Sequence, residues 1–165
     1  MGPPRPLQQT RSGPFAKECL RIQMPDEPTL TLRAVLENVP KAIEWVSRIA
    51  RSTDLDEQTL YQIQVSVDEA CANVVEHAYA GMEPGNMEVS CFLDERAFVV
   101  RVRDWGRSFA PDEVAEPNVH VSLEERSTGG LGLFLIREFM DQVQYSFDAE
   151  RGNELLMTKG LPGAD

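Results

Sequence analysis

Nowhere in this chain do about 18 uncharged apolar residues run together, the length a helix needs to cross a bilayer. The opening, MGPPRPLQQTRSGPF, has no apolar stretch of the kind that a secretory signal requires. An unexported, cytoplasmic protein that does not enter a membrane is therefore expected. Cysteine is scarce: Cys19, Cys71 and Cys91 lie far apart and form no Cys-x-x-Cys pair, so neither a structural zinc site nor a redox motif is indicated. Positive charge is also short. Against 27 acidic side chains stand 16 Lys and Arg, a formal net charge of −11, which opposes the counterion release that drives binding to nucleic acid or an anionic membrane. A protein partner fits that balance, and so does an anion held through a metal and backbone amides. Several familiar sites are missing as well. There is no Gly-x-x-x-x-Gly-Lys-Ser/Thr loop, no Gly-x-Gly-x-x-Gly after the first strand and no His-Arg-Asp catalytic loop. GRSFA ends on Ala110 and is no nucleophile elbow, and His120 lies far from any Ser and Asp arrangement, so a hydrolase triad lacks support.

What is present suffices for one domain: 165 residues, 42% of them apolar, can enclose a single sizeable core. Residues 1–17 are rich in proline and carry little to bury, so they read as a flexible leader. Residues 18–161 form the folded domain and residues 162–165 a short tail. CLRIQMPDEPTLTLRAV, from Cys19 to Val35, alternates apolar and polar residues around a Pro-Asp-Glu-Pro break and suggests one or two strands. Asn38 is placed to cap a helix that tolerates Pro40 in its first turn and runs to about Arg51. Asp54, with Glu57 three residues later, resembles the capping arrangement of a second helix that reaches about Tyr79. NMEVSCFLDERAFVVRVRDWG reads as a hairpin about its LDER turn; residues 110–128 show no period; GLGLFLIREFMDQ is a third helix; and VQYSFDA with NELLMTK closes the chain as a second hairpin. Three helices and five to seven strands in adjacent hairpins predict an α+β, two-layer α/β sandwich, with helices on one face of a mixed, mainly antiparallel sheet.

Three stretches carry candidate chemistry. On the second helix, Leu60, Ile63, Val67, Ala70, Cys71, Val74 and Ala78 fall into one apolar stripe at 100° per residue, and Glu69 and Asn73 lie together well away from it. A carboxamide oxygen can ligate a hard cation such as Mg²⁺ while a carboxylate one turn away orients or deprotonates a nucleophile. By itself the pair is more often what a solvated helix face shows, and His77 alone is more often a packing or hydrogen-bonding residue than a metal ligand. In RVRDWGRSFAP a strand ends on Asp104, with Gly106 two residues on. A carboxylate there, beside a glycine that admits a flat ring, suits an exocyclic amine such as that of adenine; an isolated Asp-x-Gly is also a plain turn signal. In ERSTGGLGLFLI, Gly129, Gly130 and Gly132 open an apolar helix. Their exposed N–H groups at the positive end of the helix dipole can bind phosphate, or the glycines can serve close packing against the sheet. The unperiodic stretch before them, which contains Arg126, has the length of a lid.

The order of the three, Glu and Asn on a helix, Asp-x-Gly after a hairpin, then a lid and a glycine-rich helix start, resembles the Bergerat-type ATP-binding fold of histidine kinases, type II topoisomerases and mismatch-repair ATPases. DEACANVVEHAY looks most like the anti-sigma regulatory factors, the serine/threonine kinase branch of that superfamily, and the resemblance covers about residues 19–160. It implies Glu69 as catalytic base, Asn73 as Mg²⁺ ligand and Asp104 as partner of the adenine amine, with Gly106 beside the base. Thr128, Gly129, Gly130, Leu131 and Gly132 would cradle the phosphates of ATP, and Arg126 would reach them from the lid. It further implies a protein serine/threonine kinase, an anti-sigma partner-switching factor that phosphorylates a STAS-type anti-anti-sigma protein, sequesters a sigma factor and forms a homodimer. An ATP-binding interaction module with little or no kinase activity is the alternative. The chain departs from the family in one motif, reading Gly152-Asn153 in RGNELLMTK where Gly-Thr is common.

Overall fold

Alternation of apolar and polar residues builds the sheet, and helical periodicity builds the layer that covers it. The structure, a computed structural model, describes residues 27–94, 96–108 and 128–163, with the backbone alone for residues 128–130. The Pro-rich leader, the strand expected from Cys19 onward up to residue 26, His120, Arg126 and the proposed lid lie outside the described residues. The elements run β1 (Thr29–Arg33), α1 (Val39–Arg51), α2 (Glu57–Asn73), β2 (Asn86–Asp94), β3 (Ala97–Asp104), α3 (Thr128–Phe139), β4 (Gln142–Asp148) and β5 (Gly152–Gly160). The five strands form one sheet in the order β1-β2-β3-β5-β4, and every pairing among them is antiparallel. This is the expected α+β sandwich: three helices packed on a five-stranded sheet.

Register decides which side chains meet the helices. Val89 faces Val102 and Cys91 faces Val100 across β2 and β3, and Val100 faces Met157 and Val102 faces Leu155 across β3 and β5. These residues join Ile63, Val67, Ala70 and Cys71 of α2, Val74 just after it and Ile136 of α3 in the main core. Fully burying a side chain the size of Ile63, Phe98 or Met157 contributes about 1.5–3 kcal/mol each. The predicted stripe of α2 is thus its buried stripe, except that Leu60 is only partly buried and packs at the core's margin. Burial also pushes the Cys71 and Cys91 thiols up to about 12, so neither is poised as a thiolate. The opposite face of the sheet carries a smaller cluster of Phe92, Ala97, Val99 and Leu156, beside ion pairs of Arg101 with Glu27 and of Arg103 with Glu154.

Local chemistry differs from the sequence expectation at three helix ends. Asn38 precedes α1 but does not cap it, because its amide donates to Arg33 O (2.9 Å) and its oxygen accepts from Lys41 Nζ (2.8 Å). The cap of α2 is Asp56 rather than Asp54: Asp56 Oδ1 accepts from the Thr59 N–H at 2.7 Å, which holds its carboxyl below the usual range. The third helix stops at Phe139 instead of reaching Gln142. Lys159 Nζ donates to Phe139 O (2.7 Å), and Asp141 Oδ2 accepts the Gly160 N–H (2.6 Å), which draws the chain into β4. Between α1 and α2, Gln64 Nε2 donates to the buried Ser47 Oγ (2.9 Å), a polar tie inside an otherwise apolar helix contact.

Candidate functional site

The helix that carries Glu69 and Asn73 does not end cleanly. After Asn73 it widens into a π turn, Val74–Ala78, in which the Tyr79 N–H reaches back five residues to Val74 O (3.3 Å). Such widened turns recur at functional sites. Here the turn delivers three contacts to the end of β3. Ala78 O accepts the Arg107 N–H (2.7 Å). Gly106 lies flat on Ala78, where a Cβ would overlap Ala78 O and come within 2.6 Å of its carbonyl carbon. Tyr79, 7% exposed, donates its hydroxyl hydrogen to Asn86 O (2.8 Å) and accepts the Trp105 N–H (3.1 Å). Burial raises that phenol, and the Asp104 carboxylate adds to the shift. His77, by contrast, is exposed, so the row that begins at Glu69 and Asn73 does not extend to it as part of the site.

Asp104 closes β3 on the helix-facing side and is 7% exposed. Its Oδ1 accepts from the Gly106 N–H (2.8 Å) and from Asn153 Nδ2 (2.8 Å). Burial raises its carboxyl above the ordinary range, and those two donors partly counter the rise. Asp104 and Asn73 line one pocket, together with Ala78, Tyr145, Phe147 and Asn153. Glu69, one turn before Asn73, is half-buried, and its carboxyl is also raised, by desolvation first and then by the charges of Asp68 and Glu76. The third stretch meets the helix at this point: a Cβ on Gly132 would lie 2.5 Å from Glu69 Oε2. Thr128, Gly129 and Gly130 occupy the first turn of α3, followed by Leu131, and the N–H groups of a first turn have no partner within their own helix. The fold therefore brings Asn73 and Asp104 into one pocket, ties Gly106 to Asp104, and sets Gly132 of α3 against Glu69 one turn from Asn73; Arg126 falls outside the described residues.

The donor set also bears on a cation. Among the described residues no three His, Cys, Asp or Glu converge. A divalent ion here would rest on the Asn73 carboxamide oxygen and on oxygens of a ligand or water, which is the arrangement Mg²⁺ commonly takes with phosphates. The residues present fit ATP and Mg²⁺: a buried carboxylate and a carboxamide line one pocket, and a glycine-rich helix start packs against a second carboxylate, that of Glu69, one turn from the carboxamide. Tyr79, Asn153 and Phe147 had been given no role from the sequence. In the sequence Tyr79 stands only as the last residue of DEACANVVEHAY, Asn153 only as a departure from Gly-Thr, and Phe147 only as one residue of a strand.

The histidine kinase-like ATPase domain family matches this chain over residues 32–159. The serine-protein kinase RsbW of Halalkalibacterium halodurans is 36% identical over 146 residues, 86% of this chain and 88% of that protein. The anti-sigma F factor of Oceanobacillus iheyensis is 30% identical over 139 residues, 84% of this chain and 94% of that protein. A crystal structure of the RsbU and RsbW domains of a Mycobacterium tuberculosis protein shares the fold, with a TM-score of 0.57 at 16% identity, and covers 82% of this chain and 33% of that longer one.

Proposed function

We propose, from the premise that this chain belongs to the histidine kinase-like ATPase domain family alongside relatives named as serine-protein kinases and anti-sigma factors, that it is an ATP- and Mg²⁺-dependent protein serine/threonine kinase. It works as a partner-switching factor in the cytoplasm, phosphorylating a STAS-type anti-anti-sigma protein and holding a sigma factor as a homodimer, without contacting nucleic acid itself. The observation that carries this reading is the single pocket shared by Asn73 and Asp104, with Glu69 one turn from Asn73 and Gly132 against the Glu69 carboxylate.

When bound, ATP supplies the phosphoryl group and Mg²⁺ neutralises charge on it. Asp104 accepts a hydrogen bond from the adenine amine, and Gly106, packed on Ala78, holds the Asp104 carboxylate through its N–H. Asn73 offers its carboxamide oxygen to Mg²⁺. The amides of Thr128, Gly129, Gly130, Leu131 and Gly132 donate toward the phosphates at the positive end of α3, assisted by Arg126. Glu69 takes the hydroxyl proton of the acceptor serine or threonine; desolvation has moved its basicity toward the working pH, which favours a general base.

Incubation with labelled ATP, Mg²⁺ and a STAS-type acceptor tests the reading. Transfer of label is expected from the natural chain. Glu69→Gln should lose transfer but keep ATP, and Asn73→Ala should lose Mg²⁺-dependent ATP binding. If ATP binds tightly and no acceptor is ever labelled, the chain is an ATP-binding interaction module instead.

A further inference from the structure

Asn153 stands directly opposite Asp104 in the pairing of β3 and β5, on the face that meets the pocket. Its Nδ2 donates to Asp104 Oδ1 (2.8 Å) and to Gly106 O (3.0 Å). A carboxamide nitrogen carries two N–H donors, and both are used. Because both partners are acceptor oxygens, the amide has only one satisfactory orientation, with its Oδ1 on the other side. Asp104 Oδ1 receives a second N–H, from Gly106, so that oxygen is occupied as well. Among the described residues no hydrogen bond falls on Asp104 Oδ2 or on Asn153 Oδ1. The nearby Tyr79 hydroxyl has spent its hydrogen on Asn86 O, and Arg107, the cation on the pocket wall, is exposed. What the Asp104 and Asn153 side chains have left to offer a ligand is therefore oxygen and no hydrogen.

We propose that Asn153 is a specificity-determining residue for the nucleobase: by locking Asp104 and Gly106 with both its amide hydrogens, it leaves an edge made of acceptors alone, which admits a purine carrying an exocyclic amine and rejects one carrying a carbonyl there. The inference rests on the ATP reading and deepens it. A threonine at position 153 would act differently, because a hydroxyl rotates to donate or accept and so tolerates either group. An asparagine whose hydrogens are committed cannot adapt. A carbonyl oxygen placed against the buried Asp104 carboxylate stays unpaired, the situation in which polar sites discriminate most strongly.

The test compares ATP with ITP, which replaces the 6-amine by a carbonyl. Both displace a ribose-labelled fluorescent ATP analogue from the full chain in Mg²⁺, with Asn153→Thr and Asn153→Leu alongside. The natural chain is expected to prefer ATP over ITP by roughly tenfold or more, the lower part of the range for leaving a buried polar group unpaired. Asn153→Thr, whose branched side chain suits a strand, should retain its fold and reduce that ratio by about fivefold or more, chiefly by gaining affinity for ITP. Asn153→Leu should lose ATP affinity and most of the ratio together. A ratio unchanged in Asn153→Thr, or ATP and ITP weakened equally in both variants, would mean that Asn153 only shapes the turn and would overturn the proposal. Failure of the natural chain to bind ATP at all would instead overturn the nucleotide reading on which it stands.

Discussion

A methyl group at position 132 asks whether the Glu69 carboxylate must sit where the fold puts it. A Cβ on Gly132 would be 2.5 Å from Glu69 Oε2, 3.4 Å from its Cδ and 3.6 Å from its Cβ. Only the terminal oxygen obstructs, and to reach ordinary contact it has to retreat by roughly 0.9 Å. For the fold this is nearly neutral. Glycine to alanine inside a helix gains about 1 kcal/mol, and pushing Glu69 off its rotamer costs about 0.5–1.5 kcal/mol. The melting temperature of Gly132→Ala should therefore stay within about 4 °C of the natural chain's, given the size of the domain. Transfer should not survive so well, because moving a catalytic group by about 1 Å costs on the order of a hundredfold in rate. Single-turnover transfer of labelled phosphate to a STAS-type acceptor, beside thermal melting and an ATP titration, measures all three quantities. Natural turnover with unchanged melting would refute the assignment of Glu69. A melting temperature lower by more than about 10 °C would refute the packing argument, since the helix and not the carboxylate would then have moved.

Three further outcomes follow from the same geometry. The raised Glu69 carboxyl should place the acid limb of the pH–rate profile above its ordinary value of 4.5, and a limb at or below that value would exclude Glu69 as the group that must ionise. The stability linkage has the opposite sign: a carboxyl whose pKa rises on folding costs stability as pH climbs through the folded pKa, so Glu69→Gln should melt no lower than the natural chain at pH 7, and a lower melting point there would contradict the desolvation argument. Gly106→Ala forces a Cβ onto the Ala78 backbone, which cannot step aside, and breaks the Arg107 N–H to Ala78 O bond. Overpacking and the lost hydrogen bond together cost about 2–4 kcal/mol, or roughly 4–16 °C in melting temperature, and a variant that melts within about 2 °C would show that the contact yields.

Most of the framework was legible because it depends on periodicities the sequence states outright. The stripe from Ile63 to Ala78, the alternation through Met87 and Cys91, and the hairpin before Asn153 each specify an element and the face it buries. The ends were harder to read because caps are decided by single hydrogen bonds. Asp54 and Asp56 are both plausible caps in a sequence, and only the position of the Thr59 N–H chooses between them. Asn38 had a better use for its amide on Arg33 O and Lys41.

The site was legible in order but not in cause. The sequence offers Gly106 as an opening for a flat ring and Gly132 as either a phosphate-binding amide or a packing glycine, and each proves to be required by a protein contact: Gly106 by Ala78, and Gly132 by Glu69. Those contacts join two points along one helix and its π turn to two elements distant in sequence. The π turn fastens its far end to β3 through Ala78 and Tyr79, while α3 presses on Glu69 nearer its middle. A ligand that orders the start of α3 would therefore bear on the Glu69 carboxylate directly, and one that fills the Asp104 end would bear on the π turn through Gly106. No spacing in the sequence records such a connection, since neither glycine is periodic with its partner. The connection appears only when register and helix packing bring residues 69 and 132, or 78 and 106, into contact, and it makes the two glycines more sensitive positions than a cradle for phosphate alone would require.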